Sequence, residues 1–274
     1  MRSAERGTLT VTAPRDWRKR ISLASSGLGP WGTGLSIAVG LLVWQIASVG
    51  NPVLVPSIGN VWAAFALTLG DGALLVNIAS SVARILEGFF LALVLATALG
   101  FVIGWYRAAR IIVDPWIQFF RMIPPIALLP LVVVYLGVGN EAQVSVIFFS
   151  AFMVMLITIF QGVQQIDSTM VRAARVLGCK DRDLFLRVIL PASVPYIFTA
   201  ARIGVSAAWT ALVAAELIAA SEGLGFMIEQ ASQFFEMSQV YLGIIAIGMI
   251  GLLMDRLVLL LQRRFTSWQD VVAR

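Results

Sequence analysis

The feature that most constrains this chain is where charge is missing. No Asp, Glu, Lys or Arg occurs between Arg20 and Asp71, between Glu87 and Arg107, or between Arg121 and Glu141. The same holds from Glu141 to Asp167 and from Glu236 to Asp255. A helix needs about 20 mostly apolar residues to cross the hydrocarbon core of a bilayer. Each of these gaps holds an apolar segment of about that length, at Trp31–Val49, Gly88–Tyr106, Met122–Val138, Val144–Phe160 and Val240–Met254, the last span running on to Leu261. A sixth lies at Ile203–Ala220, with Arg202 before it and Glu216 inside it. The expected fold class is therefore an all-α integral membrane protein with about six transmembrane helices. Buried helices of a large soluble protein would need polar surface that the sequence does not supply, because only 13% of its residues are charged and 59% are hydrophobic.

The basic residues orient this bundle. The N-terminal segment carries Arg2, Arg6, Arg15, Arg18, Lys19 and Arg20, and the second connection carries Arg107, Arg110 and Arg121. The fourth connection carries Arg172, Arg175, Lys180, Arg182 and Arg187, and the C-terminal segment Arg263, Arg264 and Arg274. By contrast, the third connection has Glu141 alone and the fifth has Glu222, Glu229 and Glu236. Lysine and arginine mark cytoplasmic loops, so both termini are expected inside. The net charge of +5 is then a topology signal and not a nucleic-acid footprint, although tail arginines also suit anionic lipid.

The chain has no histidine and one cysteine, Cys179. That excludes Ser-His-Asp and Cys-His nucleophiles, His-ligated zinc, and an intramolecular disulfide. No cofactor, metal or catalytic residue is expected, and an intramembrane enzyme is disfavoured further by the lack of paired intramembrane aspartates. The N-terminal segment reads as a polar tail and not as a cleaved signal. Residues 51–70, broken by Pro52, Pro56 and Gly59, are too polar to cross. Val61, Trp62, Phe65 and Leu69 place one face of a short interfacial helix there, on the outer side.

The fourth connection is the most specific stretch. Asp167 or Ser168 can cap a helix to Leu177, which Gly178 ends in a left-handed conformation. Asp181 can cap a second short helix, with Pro191 and Pro195 marking re-entry into the membrane. Met170, Ala173, Ala174 and Leu177 form an apolar stripe on the first. Such a pair of helices is either a knob for a groove in another protein or an amphipathic loop lying on lipid headgroups.

At this loop the sequence resembles a family. Ala173-Ala174, then Gly178, then Val188-Ile189-Leu190-Pro191 are similar to the EAA loop of ATP-binding-cassette (ABC) importer permeases. Further landmarks resemble the permeases of taurine, aliphatic sulfonate, nitrate and bicarbonate importers. These are Leu54-Val55-Pro56-Ser57, Ser80 to Arg84, Arg121 to Leu131, Leu136-Gly137-Val138-Gly139, Val213 to Ala220, Gly223-Leu224-Gly225-Phe226, and Leu261 to Trp268. The resemblance implies a type I ABC importer permease (MetI-like) fold in the bacterial inner membrane. It divides the chain into a cytoplasmic tail (1–30), a permease domain (31–268) with a coupling loop at 167–191, and a cytoplasmic tail (269–274).

It also implies partners: a pair of cytoplasmic ATPases gripping the loop, a periplasmic or lipid-anchored substrate-binding protein, and a second permease copy in a homodimer. Without a G-x-x-x-x-G-K-[ST] loop, ATP hydrolysis is assigned to the ATPases. The expected coupling residues are Arg172, Ala173, Ala174, Gly178, Leu190 and Pro191. Arg172 stands where the family has glutamate, and Asp167, Asp181 or Asp183 are candidates for a compensating acid. Taurine or another sulfonate is the favoured cargo, nitrate or bicarbonate next. Alternatives are an aromatic acid or vitamin precursor in the same family, or a stand-alone channel or carrier.

Charges inside a bilayer call for an explanation. Arg84 and Glu87, at i and i+3, are expected either to pair or to meet substrate, and Glu216 to be a hydrogen-bonded structural group or part of the pathway. Arg202 reads as an inner-interface anchor, and Asp255 and Arg256 as snorkelling or paired. Pro124, Pro125 and Pro130 predict a bent or broken helix that lines the pathway, together with Arg84 and Glu216.

Overall fold

A computed structural model describes residues 30–266; the expectations for the two tails lie outside the described residues. Those residues are helical, with no strand among them. They divide into two units, residues up to 57 and residues from 58. In the first unit, α1 (Pro30–Gly50) is long and apolar enough to span a membrane. It stops at Asn51, where the following Pro52 disfavours helical backbone. A tight turn follows, in which Val55 N donates to Asn51 O (2.9 Å) and Trp44 Nε1 to Pro56 O (3.0 Å).

The second unit begins with α2 (Ile58–Gly70), which at 13 residues is too short to cross. Of the apolar face expected at the interface, Trp62 and Leu69 are exposed, whereas Val61 is buried and Phe65 packs on the core. Ala64 and Thr68 are buried with Val61 and let α2 lie against its neighbours. The next helix, α3 (Ala73–Trp105), starts well before the expected Gly88, because Arg84 is paired inside the bundle and does not interrupt it. Then come α4 (Arg107–Phe120), a 3-10 turn (Pro125–Leu128) and α5 (Leu129–Leu136). The single span expected at Met122–Val138 is instead the second arm of a pair of helices bent by 88° at Arg121–Pro124. Proline explains the break: Pro124 and Pro125 have no N–H to continue the helix of α4.

The core is built on α6 (Asn140–Gln164), which packs against α3 on one side and α9 (Leu190–Ala219) on the other. On α3, Gly88, Ala92, Ala96, Gly100 and Gly104 recur every four residues, and on α6 so do Ile147, Ala151, Met155, Ile159 and Val163. Glycines let the backbones approach, as small residues do between membrane helices. A Cβ on Gly100 would stand 2.8 Å from Ile159 Cγ2, and one on Gly104 2.7 Å from Val163 Cβ. On the other side, Ser150 Oγ donates to Ala207 O (3.1 Å), and Gly162 makes room for the Tyr196 ring.

Between α6 and α9 lie α7 (Ser168–Val176), the one-turn α8 (Asp181–Leu184) and a π-turn (Phe185–Ile189). The π-turn passes directly into α9, so Asp181–Ala219 is one 39-residue rod, about 58 Å long at ~1.5 Å per residue. The helix therefore begins well before Ile203, the expected start of the span. Finally α10 (Leu224–Gln233) and α11 (Met237–Phe265) pack on α9. Among the described residues, five helices are long and apolar enough to span, or six if the bent pair is one span.

Candidate functional site

The rod places two polar assemblies at opposite ends of the bundle, with a third between them. At its C-terminal end, Glu216 is 1% exposed and fully partnered. Its carboxylate accepts hydrogen bonds from Arg84 Nη1 (2.8 Å), Ser81 Oγ (2.8 Å) and Gly225 N (2.8 Å). Arg84, itself 5% exposed, also donates from Nε to Asn140 Oδ1 (2.9 Å) and from Nη1 to Glu222 O (2.8 Å). The expected Arg84–Glu87 pair is not formed. The guanidinium meets Glu216 on α9 instead, and Glu87 accepts from Asn140 Nδ2 (3.3 Å).

The knot also caps α10. The first amides of a helix lack intrahelical acceptors, and they favour negative charge. Here Gly223 N donates to Asn77 Oδ1, Leu224 N to Ser81 Oγ, and Gly225 N to Glu216, each at 2.8 Å. Asn77 and Ser81 lie at i and i+4, on one face of α3. Gly223 has φ +125°, and a Cβ there would collide with the Glu216 carboxylate; one on Gly225 would lie 2.7 Å from Glu216 Cβ. The Val213–Ala220 and Gly223–Phe226 landmarks are thus two halves of one structure, Glu216 and the glycine cradle around it. With both charges enclosed and bonded to each other, neither Arg84 nor Glu216 presents a free surface. Of the other expected pathway residues, Pro124 and Pro130 are exposed beside the break in the bent pair, and Pro125 is half-buried there.

At the opposite end lies the loop of the sequence motif. Asp167 caps α7 through Oδ1, which accepts from Thr169 N (2.7 Å). That backbone hydrogen bond, with a further one to the Thr169 side chain, lowers the Asp167 pKa from its ordinary 3.8. A carboxylate with a lowered pKa stabilises the fold above its unfolded value and loses the effect as pH falls through the folded one, so the cap is intact at neutral pH.

The C-terminus of α7 is a complete Schellman motif: Cys179 N donates to Ala174 O (3.1 Å) and Gly178 N to Arg175 O (3.0 Å), with Gly178 at φ +84°. The spacing from Ala174 to Gly178 therefore encodes a local backbone geometry. Of the expected stripe, Ala174 is buried whereas Met170 is 43% and Leu177 84% exposed; the neighbouring Val176 is 87% exposed.

Asp181 is the first residue of α8, not its cap; Lys180 occupies that position without a side-chain bond. Asp181 faces Arg175 (3.5 Å) and Asp183 faces Arg187 (3.4 Å), both exposed pairs of little energetic weight. No ion pair involving Arg172 is formed among the described residues; its Nη2 donates to Thr169 Oγ1 (3.4 Å), and its charge adds to the Thr169 hydrogen bonds in lowering the Asp167 pKa. Arg172 and Ala173 are exposed, Leu190 is half-buried, and Pro191 sits in the first turn of α9. Phe185 of the π-turn stacks edge-on with Phe101 of α3 (centroids 5.4 Å apart), fixing the base of the loop to the bundle.

Between the two ends, Arg202 Nε and Nη2 donate to the Asp255 carboxylate at 2.9 and 3.2 Å, linking α9 to α11. Asp255 is thus paired, one of the two states expected for it, and its partner is Arg202. A periodicity search at i+4 would have found the glycine–alanine stripe on α3; no local signal joins Arg84 to Glu216.

A family model described as "binding-protein-dependent transport system inner membrane component" matches residues 88–267. A probable ABC transporter permease protein of Brucella abortus is 44% identical over 86% of this chain and 94% of its own length. The taurine transport system permease protein of Escherichia coli is 37% identical over 74% of each. Among solved structures, an inward-facing MetNI methionine ABC transporter covers 68% of this chain and 96% of its own, with a TM-score of 0.54 and 21% identity. That likeness shows the MetI-like fold.

Proposed function

The chain belongs to the family of binding-protein-dependent transport system inner membrane components, and on that premise we propose that it forms the translocation pathway of an ATP-driven importer for a small anion. A taurine-type sulfonate is the favoured cargo, supported by the taurine permease relative, with nitrate or bicarbonate next. A substrate-binding protein delivers the solute at the Glu216 end, which is the outer face in this reading. Cytoplasmic ATPases bind at the α7 end, and a second copy of the chain completes the pathway. Both termini are cytoplasmic.

The observation that carries this reading is the tip of α7. Val176 and Leu177 are the most exposed large apolar residues of the loop, held rigidly by a Schellman turn and an Asp167 cap. Exposed apolar side chains on an ordered helix fit a groove on another protein. The tip is followed within a few residues by the 39-residue rod, so a displacement there is carried along the bundle to the Glu216 knot. Arg172 stands in place of the glutamate usual at this position of the loop, and Asp167 serves as its compensating acid, its pKa lowered by the Thr169 hydrogen bonds and in part by the Arg172 charge. Arg84 and Glu216 hold the outer end together in this account and do not line the pathway, whereas the proline break does.

Docking is tested by co-purification of the ATPase with the full-length chain. Val176→Asp together with Leu177→Asp leaves the bundle untouched, since both side chains are exposed, and is expected to reduce ATPase recovery at least ten-fold. Undiminished recovery removes the α7 tip from the interface.

A further inference from the structure

Midway along the bundle, α9 and α11 enclose an open groove of about 470 Å³, within the range of small-molecule sites (about 300–1,000 Å³). Its walls carry Arg202, Ser206, Trp209, Gly251 and Asp255. Trp209 is 7% exposed, and its Nε1–H, a donor with no acceptor role, has no partner. A Cβ on Gly251 would have Nε1 as its nearest neighbour, at 3.5 Å. Glycine at 251 therefore puts no side chain between this buried donor and α11.

We propose that this groove is a water-accessible transit site for a small oxyanion headgroup, with the Trp209 Nε1–H and the Ser206 hydroxyl as donors; it rests on the importer reading and gives it a location. Three observations converge. A buried N–H without an acceptor is rare, and an arriving oxygen satisfies it. Arg202 uses Nε and Nη2 on Asp255, so Nη1 remains as a third donor, and Asp255 offers an acceptor to an ammonium group on the same solute. The pair is also open to the groove, its two side chains 40% and 32% exposed on helices long and apolar enough to span a membrane. Charged groups on such helices face a bundle interior or a water-filled cavity. Because Arg202 is neutralised by Asp255, the site holds an anion weakly, as release into the cell requires.

The test uses the assembled transporter in membrane vesicles, with Cys179→Ser as background and single cysteines at Ser206, Gly248 and Leu253. Leu253, exposed on another face of α11, is the comparison. A membrane-impermeant thiol reagent bearing a sulfonate is expected to modify Ser206→Cys and Gly248→Cys at least ten-fold faster than Leu253→Cys. Millimolar taurine or nitrate is expected to slow that reaction several-fold, and Trp209→Phe to remove the protection. The groove assignment is overturned if only a neutral, lipid-soluble maleimide reacts, if neither reagent reaches these positions, or if neither solute protects. Wild-type uptake in the same vesicles separates the two readings: uptake without protection overturns the groove alone, and no uptake of either anion overturns both.

Discussion

Glu216→Ala is expected to prevent stable accumulation of the folded chain, the largest single effect at any position outside the coupling loop. The carboxylate has three donors, and its removal leaves Arg84 buried without its counter-charge and the Gly225 amide without an acceptor. Breaking a buried pair by deleting one member costs about 3–5 kcal/mol. Total folding stabilities are typically about 5–15 kcal/mol, so this is a large share. Arg84→Met is expected to be severe for the converse reason, leaving Glu216 uncompensated. The double variant Arg84→Met, Glu216→Leu is expected to be less unstable than the sum of the two singles, because no charge remains unpaired. Thermal unfolding of the purified chains in detergent measures this. A Glu216→Ala chain as stable as wild type would sink the knot as the structural tie between α3, α9 and α10.

Gly178→Val is expected to lower transport at least ten-fold while the chain still inserts and folds. The two effects separate because nothing lies within 4 Å of a Cβ at this position, so packing is not disturbed. What changes is the backbone. Left-handed geometry costs an ordinary L-residue about 1–2 kcal/mol, and a β-branched side chain is a genuine outlier there. Relief of that strain opens the Schellman turn and re-aims Val176 and Leu177. Gly178→Asn, which tolerates φ > 0, is expected to retain most transport. Uptake and ATP hydrolysis measured together in proteoliposomes distinguish these outcomes. Normal uptake by a stably inserted Gly178→Val chain would remove the turn from the coupling path.

Which features could be read from the sequence follows from how local their causes are. The helix cap at Asp167 and the turn at Gly178 are set by residues within a few positions, and they stand where the motif places them. The charge-free runs likewise mark helices, because the bilayer demands length and apolarity from each segment by itself. The pairing of Arg84 was out of reach for the opposite reason: Glu216 is 132 residues away, whereas Glu87 lies one turn along the same helix. Treating Arg84 and Glu87 as the edge of the membrane then shortened α3, which continues through them from Ala73. The break at Pro124–Pro125 was legible as proline chemistry, but not its 88° angle, which depends on how both arms pack. On α2 the apolar spacing marked Trp62 and Leu69, which are exposed, but the burial of Ala64 and Thr68 depends on neighbours distant in sequence.

In the proposed function, motion of a cytoplasmic ATPase drives import of a small anion through this chain. The most direct test is taurine and nitrate accumulation in proteoliposomes holding the chain, its ATPase and its binding protein. ATP on the ATPase side is compared with a non-hydrolysable analogue. The account predicts accumulation of at least one of these anions that requires both ATP and the binding protein, and that disappears with Gly178→Val. Uptake that proceeds equally with the analogue, or without the ATPase, would contradict it.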